Sequence, residues 1–397
     1  MVAAHVNAWS DTADEPTSQD FPERLEELSG LGYLSGYEPA PQETGVLAYR
    51  KDRTDDGYNL VTTGHSPQAV LLDMEGEVLH QWRHPYRENW PVLDPDHKDP
   101  AQGNSDYWRR THLFENGDLL AIFDGLALLK IDRYSNLIWA YRGGFHHDLD
   151  VIDDGRIFVL THREITSHPS LPDRSPIMED FITLLDADGS LIRHVSILES
   201  FVRSKYAALL DRVREPVNVF HTNTLEVLKG RLADRSEAFK AGNVLVSLRD
   251  IDVVAVVDLE QEKVVWAITG DWKMQHQPTV LDNGNMLLFD NQGHHGTSKV
   301  IEFDPLTQQT VWAYKGDDEN GFYSPVLGSN QRLPNGNTLI TESCAGRAFV
   351  VAPEGAVVWD FIDSKRIGPE GQWQLVPTMC EMVRIEKDYV RGWLDVR

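Results

Sequence analysis

The run QHQPTVLDNGNMLLFDNQGHH at 275–295 places His276 before an apolar stretch and His294 and His295 after it. An imidazole can brace a core, ligate a metal or carry a reacting group, and its companions decide which. Turn glycines serve as a ruler for finding those companions. Eight residues before Gly155, Gly284 and Gly117 stand His147, His276 and Arg109. Eight before Gly336 stands Gly328, followed by Ser329 and Asn330. His221, in HTNTLEVL, stands at a matching distance ahead of its apolar run, although the insertion KGRLADRSEAFKAG obscures the count. Seven residues after the landmark glycines Gly117, Gly155, Gly242, Gly284 and Gly336 stand Asp124, His162, Arg249, Asn291 and Ser343, all polar.

Three histidines with Arg249 and Asn223 at aligned positions suit two kinds of chemistry. In one, a histidine nitrogen attacks an anionic group, a second imidazole moves the proton and Arg249 holds the oxygens through paired donors. In the other, His147, His221 and His276 ligate a divalent metal at a channel mouth, the reading in which a cofactor is required. A guanidinium beside a cation counts against the second. A non-catalytic binding ring is the third reading. No carboxylate pair stands in the ring, which argues against two-carboxylate glycoside hydrolysis. There is no G-x-S-x-G elbow and no Walker or dinucleotide loop.

These residues need elements that bring them together. Six copies of one pattern run along the chain, at 56–82, 114–139, 151–186, 241–266, 281–312 and 333–359. Each holds a Gly turn, short β-branched strands, an aspartate near a second turn and, in most copies, a tryptophan. Four short antiparallel strands repeated radially predict an all-β, six-bladed β-propeller over 41–397. Innermost strands then start at one mouth of the axial channel, where equivalent positions converge. The repeated tryptophans 82, 139, 266, 312 and 359 read as inter-blade core. The strand around CEMVRI at 380–385 is expected to complete the first blade and close the ring.

Residues 1–40 read as an N-terminal arm with one short helix in FPERLEELSGLGYLSG. The loop at 83–108 offers Tyr86, Trp90, Tyr107 and Trp108, either to stack on an aromatic substrate or to pin the loop. Residues 200–216 predict a helix ended by Pro216.

The 397 residues carry a formal charge of −25, which disfavours nucleic acid and anionic membranes but leaves room for a locally positive pocket. No stretch approaches 18 apolar residues, so no membrane span is expected. No signal peptide is visible. Cys344 and Cys380 form no metal or redox motif, and a single bridge between them or two free thiols both fit the count.

The ordered motifs His221-x-Asn223, Ser247-x-Arg249, Gln275-His276 and the closing NGNTLITES…GRAFVVAPEGAVVWDF resemble the bacterial arylsulfotransferase family, over roughly residues 45–385. The resemblance implies a six-bladed propeller that passes a sulfuryl group from an aryl sulfate to a phenolic acceptor without a nucleotide donor or other cofactor. By position it implies that His276 becomes transiently sulfated; a histidine nucleophile must be neutral, so activity is expected to fall as the histidines protonate near pH 6. His221 and Arg249 match the assisting pair, and Asn223 matches their partner. His147 matches the remaining active-site histidine, with His146 the competing assignment. Arg109, His162, Asn291, Asn330 and His295 are the expected substrate contacts. The family's best-known members are periplasmic and carry a separate N-terminal β-rich domain, where this chain shows only the arm.

Overall fold

The computed structural model describes residues 36–90, 106–171, 176–214, 217–294, 296–316, 321–368 and 374–394. Six antiparallel sheets form a ring, five of four strands and one of five. This is the six-bladed β-propeller expected from the repeats. The proposed arm helix and His295 lie outside the described residues.

Two strand pairings close the ring. Met379–Ile385 becomes the innermost strand of blade one, paired with Tyr58–Thr63. Gly45–Tyr49 adds a fifth, outermost strand to blade six, paired with Val357–Ile362. The second pairing was not foreseen. With Gly45–Tyr49 and Met379–Ile385 each held by partners far away in sequence, opening the ring requires breaking ladder hydrogen bonds.

The repeated tryptophans explain how blades hold one another. Trp82 donates through Nε1 to the Gly117 carbonyl of the next blade at 2.9 Å, Trp312 to Pro353 at 2.9 Å, and Trp359 to Met74 at 2.9 Å. Each reaches from an outer strand to a turn of its neighbour. Trp82 and Trp359 are fully buried, worth roughly 5 kcal/mol apiece on the area scale. The indole therefore both fills the wedge between blades and caps a turn carbonyl.

The innermost strands carry the site, and most are irregular at their first residues. Register shifts interrupt the ladder between Trp108 and Arg110, between Thr222 and Thr224, and between His276 and Thr279. In blade three the pairing jumps from His146 to Leu149. A bulge re-aims side chains that a regular strand would send to alternate faces. His147, His221 and Gln277 adopt φ of 53°, 47° and 48°. Such left-handed backbone is unfavourable for residues with a Cβ, and here it clusters at the axial mouth.

Other expectations are revised. The predicted 200–216 helix is two short pieces: Ile197–Val202, with Ser196 accepting from the Glu199 amide, and a 3-10 turn at Ala207–Arg212. Pro216 lies outside the described residues. Cys344 and Cys380 are both free and buried. Tyr86, Tyr107 and Trp108 are buried. Trp90 packs on Tyr86 with centroids 4.6 Å apart. Tyr86, Tyr107 and Trp108 are thus pinned into the body, while Trp90 is half-buried beside them. Among the described residues no helix is long and apolar enough to cross a membrane.

Candidate active site

His147, His221 and Arg249 come from three different strand ends and meet. His147 Nε2 lies 3.1 Å from His221 Nε2, and Arg249 Nη1 lies 3.2 Å from the same atom. Arg249 sits in a 3-10 turn, Arg249–Ile251, directly after the second strand of blade four, and its Nε donates to Asp250 at 2.7 Å. The insertion at 229–242 leaves the opposite end of that blade, where Leu232 and Phe239 join the core against Trp266. It stretches the sequence between His221 and Arg249 without separating them in space.

His276 has a defined tautomer. Its Nδ1 faces two acceptors, Asn291 Oδ1 at 2.8 Å and the Met274 carbonyl at 3.1 Å. The Asn291 amide cannot turn, because its Nδ2 donates to the carbonyls of Ser324 and Leu327 at 2.7 and 2.6 Å. Nδ1 therefore carries the proton, and the lone pair of the neutral ring is on Nε2, which has no hydrogen bond among the described residues. Burial, then the charge of Arg249, pushes the His276 pKa down to about 3. The ring stays neutral far below the pH 6 suggested by residue type alone. His147 and His221 are also held well below the usual imidazole range. Burial is the main cause for both, followed by His221 in the first case and Arg249 in the second.

Arg109 joins the group electrostatically. Its charge disfavours protonation of His146, His147, His221 and His276 alike. It is 3% exposed, and among the described residues no carboxylate pairs with it. Neighbouring Arg110, by contrast, is neutralised by Asp148 at 2.9 Å and by Glu381. A buried guanidinium without a counter-ion is costly unless an anion comes to it.

The remaining expected contacts act at one remove. Asn223 donates to the Gln275 carbonyl at 2.8 Å and so braces the residue before His276. Asn291 orients His276 as described. Asn330 donates to the Gln277 carbonyl at 3.1 Å. These three amides are spent on positioning the His276 strand. His162 is half-buried and stacks on His146 with centroids 4.8 Å apart.

The motif ruler passed over three residues. Asn218 accepts the His221 amide through Oδ1 at 3.0 Å, which turns its Nδ2 to His221 Nδ1 at 2.9 Å. Asn218 and Arg249 thus offer donors to opposite nitrogens of a ring that, when neutral, accepts at only one. His146, the competing assignment to His147, takes a place beside it: the two Nδ1 atoms lie 2.9 Å apart. Asp180 lies beyond, with Oδ1 3.8 Å from His146 Nε2. Only the adjacency in HHD signalled any of this.

The three histidines expected as metal ligands in the alternative reading do not bring three ligand atoms within reach of one ion. Among the described residues the group that does is His146, His162 and Asp180, with ligand atoms within 4.8 Å of one another.

The fold and site define a propeller with imidazoles and guanidiniums gathered at its axis. The chain belongs to the arylsulfotransferase (ASST) family, whose sequence model matches residues 110–364. Family and site together point to catalysis on a propeller scaffold. Among solved structures, a protein of unknown function from Bacteroides caccae is similar, at 13% identity over 78% of this chain and 94% of that chain, with a TM-score of 0.52. A streptogramin B lyase structure is similar at 11% identity over 87% of this chain and 94% of that chain, with a TM-score of 0.46. Virginiamycin B lyase from Staphylococcus aureus is similar at 8% identity over 83% and 88%, with a TM-score of 0.43. At these identities the likeness is one of fold alone. No curated protein matches the sequence.

Proposed function

We propose that this chain moves a sulfuryl group from a small aryl sulfate to a phenolic acceptor through His276. The observation that carries the proposal is the fixed tautomer of His276, which leaves Nε2 with a bare lone pair close enough to Arg249 and Arg109 to feel both charges. A neutral nucleophile beside two guanidiniums suits an anionic electrophile.

In the first step His276 Nε2 attacks sulfur, the N–S bond forms and the bond from sulfur to the aryl oxygen breaks. A phenolate leaves. Arg249 turns its donors to the sulfuryl oxygens, and Arg109 supplies a second positive charge. Once Arg249 is so engaged, Asn218 holds His221 Nδ1 as the acceptor and the ring proton of His221 sits on Nε2. In the second step the acceptor oxygen attacks sulfur, the N–S bond breaks and its electron pair returns to Nε2, restoring neutral His276; the hydroxyl proton passes by way of the His147–His221 pair to water, which has already protonated the released phenolate. No cofactor is required.

Mass spectrometry of protein quenched during turnover of p-nitrophenyl sulfate tests this. A sulfuryl increment on the peptide containing His276 is expected, and it disappears in His276→Ala. Full turnover by His276→Ala would sink the proposal.

A second reading is a metal-dependent propeller enzyme of the hydrolase or lyase kind. One observation favours it: the His146, His162 and Asp180 ligand atoms gather beside His147. In this reading Arg109 and Arg249 hold an acidic substrate, and stripping the metal abolishes turnover.

A further inference from the structure

His146 is buried, and among the described residues its Nε2 has no hydrogen-bond partner of good geometry, although the Thr161 carbonyl lies close enough to the ring to favour its protonation. His146 Nε2 points toward Asp180, whose carboxylate is 2% exposed. Asp180 Oδ2 accepts the Thr222 amide at 2.9 Å, and no lysine or arginine pairs with the carboxylate among the described residues. A buried carboxylate facing an unpartnered imidazole nitrogen calls for a cation between them. The third member, His162, is half-buried and lines a cavity of about 330 Å³ between blades two and three, together with Tyr141, Arg142, Gly144 and Thr161.

We propose that His146 Nε2, a ring nitrogen of His162 and Asp180 Oδ1 form a site for a divalent transition metal that opens to this cavity. The proposal deepens the metal-dependent reading, on which its catalytic consequence rests; metal binding itself does not depend on it. Two imidazoles and one carboxylate select Zn²⁺, Fe²⁺ or their neighbours over Mg²⁺ and Ca²⁺, which prefer oxygen donors. Two ligands about 2 Å from a tetrahedral ion stand roughly 3.3 Å apart, so the 3.8 Å between His146 and Asp180 needs only a small closure. The His162 ring now lies 27° from the plane of His146, and near-parallel rings cannot both aim at one ion. Metal binding therefore requires the half-buried His162 ring, which packs against Gly144, to rotate. A Cβ at position 144 would come within 2.8 Å of its ring, and Gly144 has none. Three protein ligands leave a coordination position for water or substrate.

The imidazole chain connects this site to the axis. A metal on His146 Nε2 puts the His146 proton on Nδ1, where it donates to His147 Nδ1 across 2.9 Å. His147 then donates from Nε2 to His221 Nε2. His221 must carry its own proton on Nδ1, the atom that Asn218 now faces with a donor. Asn218 therefore opposes the metal-bound arrangement and tunes its affinity.

Isothermal titration of the full chain with Zn²⁺, after removal of adventitious metal, tests the site. One equivalent is expected to bind. His162→Ala and the near-isosteric Asp180→Asn should each weaken it at least tenfold, while His168→Ala, outside the group, leaves it unchanged. Asn218→Ala should tighten binding, an effect a purely local site would not show. The absorption of a Co²⁺ complex gives a second readout of nitrogen ligation. Absence of stoichiometric binding, or equal affinity in wild type, His162→Ala and Asp180→Asn, overturns the site. An unchanged affinity in Asn218→Ala overturns the link to the axis. Zn²⁺ bound by these residues together with turnover that survives chelation upholds the site and removes the metal-dependent reading instead.

Discussion

His276 Nδ1 lies 2.8 Å from Asn291 Oδ1, and the amide of Asn291 is itself tied to two carbonyls of the following loop. The nucleophilic face of His276 is thus set by a residue fifteen positions on, within the next strand, Met286–His294. Asn291→Leu removes the acceptor and leaves the Met274 carbonyl as the sole orienting partner. We expect kcat for p-nitrophenyl sulfate to fall on the order of 100-fold, with KM nearly unchanged because the guanidiniums remain. Steady-state kinetics beside a thermal melt separates misorientation from misfolding.

Acidification should act on stability before it acts on the nucleophile. His276 is held down at about 3 and His146 at about 4, mainly by burial, and His147 and His221 also lie well below 6.5. A histidine with a lowered folded pKa takes up protons more readily when unfolded. Its contribution is complete above the unfolded pKa of about 6.5 and is lost as pH falls toward the folded value. Thermal melts should therefore show Tm decreasing from about pH 6.5 downward. At pH 5 and low temperature, kcat/KM should hold near its neutral value as long as the chain stays folded. A drop centred on pH 6 without unfolding would contradict the buried, neutral His276.

Arg109 offers a case where stability and binding move in opposite directions. Arg109→Met removes a buried charge that has no carboxylate partner among the described residues and keeps much of the side-chain volume. The melting free energy should rise by about 1–3 kcal/mol. Binding of sulfate or an aryl sulfate, followed as a ligand-induced shift in Tm, should weaken at least tenfold, in line with the roughly 1.5–3 kcal/mol of a charged hydrogen bond. Lower stability with unchanged anion binding would show that Arg109 is a packing residue.

The inter-blade tryptophans predict a purely structural effect. Trp82→Phe deletes the donor to Gly117 while keeping an aromatic ring in the wedge. The stranded carbonyl and the smaller ring should cost about 1–3 kcal/mol in chemical denaturation. The kinetic constants of the axial site should not change.

The repeat of turns, β-branched runs and tryptophans was enough to read a six-bladed propeller from the chain, because a strand's period and a Gly turn are local properties. The same ruler singled out Arg109, His147 and His276 at one register, since equivalent positions in a ring share one distance from the axis. It did not reach Asn218, His146 or Asp180. Their importance lies in which nitrogen faces which donor, and bulges and left-handed residues decide that by turning side chains off the regular alternation. Asn223, Asn291 and Asn330 were legible as polar residues near the mouth. Only the folded ring shows that their amides are spent on carbonyls around His276 and not on the open channel. Sequence alone therefore determined the architecture and pointed to Arg109, His147, His221, Arg249 and His276 as candidates for one mouth of the ring. Tertiary structure decided the tautomer of His276, because a ring proton's place depends on acceptors at directions no spacing rule encodes.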